Sequence, residues 1–185
     1  MKIFILCVII ISALIAIVAS KYNEMVKHKN KVNESLSLID IQLRLRFDLV
    51  PNLVKTVQAY AKHEKEIFEK LIEIRKLGIK EEDEKKKIEY ANELVPQIGK
   101  VLAVAENYPE LKADALYRDL MEELVLIEDK IAASRRFYDS NVSKYNTLIE
   151  MFPNNLFAFM FSFKRMELFK IDVGERFASK IKMDE

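Results

Sequence analysis

Apolar residues fill positions 3–19, IFILCVIIISALIAIVA, with Ser12 as the only polar side chain and no charge. As a helix this run spans about 26 Å, close to the hydrocarbon thickness of a bilayer. The pattern predicts a transmembrane anchor over residues 1–20. A cleaved secretory signal is the rival reading, with Val18-Ala19-Ser20 as a small-residue cleavage site. Helical periodicity resumes at Tyr22 without a break, which favours a retained anchor over a flexible mature start. Lys21, Lys27, Lys29 and Lys31 follow the run, while Lys2 alone precedes it. The positive-inside tendency then gives a single-pass protein of the cell membrane with its bulk in the cytoplasm.

From Tyr22 a heptad runs through Met25, Lys29, Val32, Leu36, Ile39, Leu43, Arg46, Val50, Leu53, Val57, Tyr60, Glu64, Ile67, Leu71 and Ile74. Thirteen of these sixteen positions are apolar, so the stretch predicts a long amphipathic helix with a coiled-coil-like seam. Pro51 interrupts it, yet the seam keeps its phase, which favours a kinked continuous helix over a reversal. Asp48 would cap a second helix if the chain broke there. Gly78-Ile79-Lys80 predicts the first turn. Glu81 to Asp83 ahead of Lys85 to Lys87 then reads as the solvated start of a second helix, with acids leading as the helix dipole prefers.

Asn107-Tyr108-Pro109 ends that helix, Asp114 caps a long third one, and Phe152-Pro153-Asn154-Asn155 stops it. A last helix starts near Leu156. The expected fold is all-α: a transmembrane helix, then an antiparallel bundle of about four long helices in one domain, residues 21–185.

Composition supports this and removes other classes. Half the residues are apolar and 32% are charged, enough to bury a core. Three glycines and four prolines are too few for a sandwich or barrel, and isolated glycines cannot cradle a dinucleotide or a triphosphate. One cysteine, Cys7, and two histidines exclude a disulfide framework and disfavour a zinc site. Beyond Lys2 the chain carries 29 basic and 29 acidic residues, so no nucleic-acid partner is expected.

Several segments resemble the LemA family. They are Tyr22-Asn23, the stretch from Ile39 through Val50-Pro51-Asn52 to Val54, Ala59-Tyr60-Ala61-Lys62-His63-Glu64, and Ala105-Glu106-Asn107-Tyr108-Pro109-Glu110-Leu111-Lys112-Ala113. Arg135-Arg136-Phe137-Tyr138, Tyr145-Asn146 and Phe152-Pro153-Asn154-Asn155 complete the set, in matching order over roughly residues 20–170. The resemblance implies a bacterial single-pass membrane protein with a helical bundle and no established catalytic activity. Family genes often adjoin those of membrane proteases or stress proteins, which implies an accessory role by association. Asp139 and Ile127-Glu128-Asp129 depart from the family's usual residues.

No catalytic, cofactor or metal site is expected. His63-Glu64 lacks the second histidine of a zincin. Glu122, Glu123, Glu128 and Asp129 lack the Glu-x-x-His partners of a two-metal bundle. Asp40–Arg44, Glu128–Arg135 and Asp129–Arg136 read as ordinary salt bridges. Arg46 and Glu64 stand out as charges in the seam, where a charge must be paired and can fix register. Arg46 is expected to meet a carboxylate on another helix.

The last helix carries Phe157, Phe159, Phe161 and Phe163, followed by Lys164 and Arg165. Helical spacing gives two faces, Phe157/Phe161 and Phe159/Phe163, of which one closes the bundle. The other is either core or a contact for protein or anionic lipid, with Lys170, Arg176, Lys180 and Lys182 adding charge. The expected function is a non-catalytic scaffold or adaptor for unidentified membrane or envelope proteins, with the seam and the Phe-rich helix supplying the contacts and homo-oligomer formation open. The alternative is a lipid-interacting or remodelling protein that lays residues 156–182 on the bilayer.

Overall fold

A computed structural model describes residues 1–169. Every regular element among them is a helix: α1 Lys2–Tyr60, α2 Lys65–Lys80, α3 Glu84–Ala105, α4 Pro109–Ala113, α5 Ala115–Glu150 and α6 Asn154–Met160. The all-α expectation therefore holds. Two compact units divide these residues. One comprises residues 1–37 and 135–169, the other residues 38–134, and α1 and α5 contribute to both.

In the unit of residues 38–134, four helices share a core of Ile39, Leu43, Phe47, Leu53, Phe68, Leu71, Leu94, Val101 and Ile131. The polar contacts fix their directions. Tyr60 Oη donates to Asp114 Oδ2 at 2.9 Å, and fourteen residues away on each chain segment Arg46 meets Glu128, so α1 and α5 run antiparallel. Lys87 pairs with Asp40 at 2.8 Å and Arg46 donates to the Ala91 carbonyl, so α3 runs parallel to α1. The turn 61–64 and the turn 81–83 reverse α2 against both neighbours. The result is an up-down-up-down bundle.

Three local expectations change. The helix does run on through the exposed Pro51 without reversing, but it ends at Tyr60, and the chain turns back at 61–64 instead of continuing to Ile74. Glu64 accordingly leaves the seam for the residue before α2, where its carbonyl accepts from Phe68 N. Gly78 is not a turn residue. It is buried within α2 because the Phe47 ring lies against its Cα, where any Cβ would overlap the ring. The reversal falls at 81–83, and Asp83 caps α3 by accepting from Lys86 N at 2.9 Å.

In the unit of residues 1–37 and 135–169, Met25 and Val32 of α1 pack with Val142, Tyr145 and Ile149 of α5 and Ala158 of α6. The segment 3–17 is exposed apolar helix throughout. Among the described residues the last helix is short. α6 ends at Met160 in a Schellman arrangement: Phe163 N donates to Ala158 O and Ser162 N to Phe159 O, with Ser162 at φ 58°. The chain then runs extended along α5 as far as Phe169. Lys170, Arg176, Lys180 and Lys182 lie outside the described residues.

Candidate functional site

Two arrangements concentrate the residues singled out above. In the unit of residues 38–134, Arg46 is 2% exposed. Its guanidinium reaches the Glu128 carboxylate on α5 and donates to the Ala91 carbonyl on α3 at 3.1 Å. The expectation of an interhelical carboxylate partner is met, and Glu128 is drawn away from Arg135. The planar fork suits this double duty, tying three helices in one register. Asp40 likewise turns from Arg44 to Lys87. Arg75 donates to the Phe47 carbonyl at 2.8 Å and lies 3.7 Å from Asp48.

At the far end of the same bundle, Asp114 caps α5 by accepting from Leu116 N at 2.8 Å and Tyr117 N at 3.2 Å. The Tyr60 hydroxyl and these amides favour the ionised carboxylate and hold its pKa below the usual value. The same hydrogen bond, with some burial, pushes the Tyr60 phenol upward. Burial, helped by Glu106, raises Tyr117. Glu122, Glu123 and Asp129 lie exposed on α5.

The second arrangement is the cap formed by α6 and the segment 163–169. Tyr145 Oη donates to the Lys164 carbonyl at 3.0 Å, and burial raises its pKa. The Asn146 amide donates to Met166 O and accepts from Met166 N, both at 2.9 Å, as a strand neighbour would. Tyr138 Oη donates to Glu167 O, and Asp139 accepts from Phe169 N at 2.7 Å. Arg135 stacks over the Phe169 ring, 4.7 Å from its centroid. Several residues that carry the family resemblance thus clasp an extended segment, a role that helical periodicity does not reveal.

The phenylalanines sort differently from the expected faces. Phe157 and Phe163 pack on the core, Phe161 lies part-exposed against α1, and Phe159 points outward. The helix stops at Met160 and Ser162 turns the chain, so helical spacing does not extend to Phe163. Phe161 meets Tyr22 edge-on, with ring centroids 5.0 Å apart, and lines an apolar recess with Leu14, Ile15, Val18 and Ala19. Phe159 is 91% exposed, and Leu156, Met160 and Phe152 are exposed beside it. Lys164 and Arg165 are exposed too, with Arg165 3.0 Å from Glu150.

Sequence reasoning also passed over a stripe on α1. Leu38, Ile41 and Leu45 are exposed at helical spacing, opposite the buried Ile39, Leu43 and Arg46.

The LemA family model matches residues 35–183. The magnetosome proteins MamQ 1 and MamQ 2 of Paramagnetospirillum magneticum are each 27% identical over 192 residues, covering 90% of this chain and 71% of theirs. Protein LemA of Metamycoplasma hominis is 26% identical over 155 residues, covering 83% of this chain and 71% of its own. With the exposed apolar segment of α1, these likenesses describe a membrane-associated helical protein.

Proposed function

The chain belongs to the LemA family, and on that premise we propose that it is a non-catalytic scaffold that binds other membrane or envelope proteins beside its own single span. The observation that carries this reading is the continuity of α1. One helix runs from Lys2 to Tyr60, so the apolar segment and the bundle's first strut are a single element. An anchored binding surface meets membrane partners at a raised effective concentration. The exposed stripe Leu38, Ile41 and Leu45 is the partner face, since the opposite face is engaged with the core. The lysines after the apolar run support a cytoplasmic side for the bundle. Membrane stress or protease accessory work is the setting that the family resemblance suggests.

A photo-crosslinking residue at Ile41, activated in intact cells and followed by mass identification, tests this. One dominant membrane protein is the expected product. Self-crosslinks alone would make the partner a second copy. No product would refute the partner face. A second reading, lipid interaction through the Phe-rich segment, is favoured by the outward Phe159.

A further inference from the structure

The run Met151–Phe163 holds thirteen residues without a charge, bracketed by Glu150 and Lys164. A water-facing cap of this length ordinarily carries charge. Leu156, Phe159 and Met160 stand at i, i+3 and i+4, on one face of α6, and all three are exposed, as is Phe152. Large apolar side chains gathered on one exposed face mark a contact surface.

The same unit holds the clue to its occupant. Phe161, one residue beyond α6, lines the recess with Leu14, Ile15, Val18 and Ala19, the last apolar turns before Lys21. Those turns lie within about 8 Å along the helix axis of the point where the anchor's apolar run ends. Phe161 thus ties the end of α6, one residue past Met160, to the level where the anchor's apolar run ends. The uncharged run is too short to span, which fits a shallow seat and excludes a second crossing. Exposed Lys164 beside it supplies the cation that anionic headgroups attract.

We infer that the face Phe152, Leu156, Phe159 and Met160 is a second membrane contact, seated in the headgroup–acyl boundary beside the N-terminal span. It fixes the rotation and tilt of the unit on the bilayer, which one helix cannot do alone. This rests on the anchor reading of residues 3–19.

The chain contains no tryptophan, so single-tryptophan variants report cleanly. Full-length F159W, F137W and I9W are reconstituted in phosphatidylcholine–phosphatidylglycerol vesicles, with and without brominated acyl chains, and titrated with acrylamide. Phe159 is outward, so tryptophan fits there. Phe137 is exposed in the same unit, on α5, about 18 Å along that helix from Ile149. Brominated lipid is expected to quench F159W about twofold, with acrylamide quenching about threefold weaker than for F137W. Acrylamide quenching equal to that of F137W, or protection without bromine quenching, overturns the inference; the latter would mean a protein covers the face. I9W quenched by bromine while F159W is not would sink this contact alone. I9W unquenched would sink the anchor reading and this inference with it.

Discussion

Gly78→Ala tests the bundle packing where its outcome is least intuitive. In an open helix interior this change stabilises by about 1 kcal/mol through helix propensity. Here the new Cβ overlaps the Phe47 ring. Cζ is the nearest atom, with Cε1 at 2.7 Å and Cε2 at 3.0 Å. Rotation about χ2 leaves Cζ on its axis and brings no relief. Relief needs a swing about χ1 or a separation of α1 from α2, and Phe47 is only 1% exposed. Overpacking of this kind costs about 1–3 kcal/mol, so the net expectation is a loss of about 1 kcal/mol despite the propensity gain. Urea unfolding of the full chain in detergent, followed by circular dichroism at 222 nm, measures it. Phe47→Leu removes Cζ and both Cε atoms, so Gly78→Ala should cost little or even stabilise in that background. The two substitutions should couple by about 1–2 kcal/mol. Stabilisation by Gly78→Ala alone, with no coupling to Phe47→Leu, would refute the close-approach account.

Three further outcomes follow from the described contacts. Ser162→Gly should stabilise the cap by about 0.5–1 kcal/mol, because glycine occupies φ 58° without the penalty serine meets, as hydrogen exchange at α6 amides would record. Asn146→Ala removes both bonds to Met166 and should cost about 2 kcal/mol, with faster exchange of the Met166 amide; Asn146→Asp keeps the acceptor and should recover part of it. The Tyr60–Asp114 bond gives a pH window. Asp114, lowered from 3.8, contributes stability above that value that fades as pH falls through its folded pKa. Tyr60, raised from 10.0, contributes below 10 and fades as pH climbs through its folded pKa. Thermal melts across pH should show both limbs, with the acid limb flattened in Asp114→Asn; an unchanged acid limb would argue against the bond.

The long helices were legible because their ends are punctuated locally. Asn107-Tyr108-Pro109 and Phe152-Pro153 break the pattern, and the Asp114 carboxylate caps the helix that its position announces. The reversal at 61–64 was not legible. It contains no glycine or proline, and a four-residue connection keeps buried positions recurring at three and four, so the seam from Val57 to Ile74 reads as one helix. Gly78 misled for a different reason: its small size answers to Phe47, thirty-one residues earlier, not to a local turn. The Arg46 partner was legible as a type of contact, since a buried guanidinium demands a carboxylate, but not as Glu128.

The cap was the least legible part. Phe157, Phe159, Phe161 and Phe163 alternate at a spacing of two, a signal for extended chain that the surrounding helical pattern outweighed. In the structure neither period holds across the segment, because Ser162 changes the backbone direction between Phe161 and Phe163. The extended stretch that follows is held by Tyr145 and Asn146, about twenty residues upstream, and hydropathy carries no record of such bonds.

In the proposed function the span addresses the protein to the membrane while the bundle does the binding. An anchor exchange tests it most directly: residues 1–20 are replaced by an unrelated span of equal length, in helical register with Lys21, and capture from Ile41 is compared with that of a chain lacking those residues. The account predicts the same captured protein after the exchange and its loss after the deletion. Capture lost on exchange would assign recognition to the span itself, and capture kept after deletion would remove the membrane from the mechanism; either result contradicts the account.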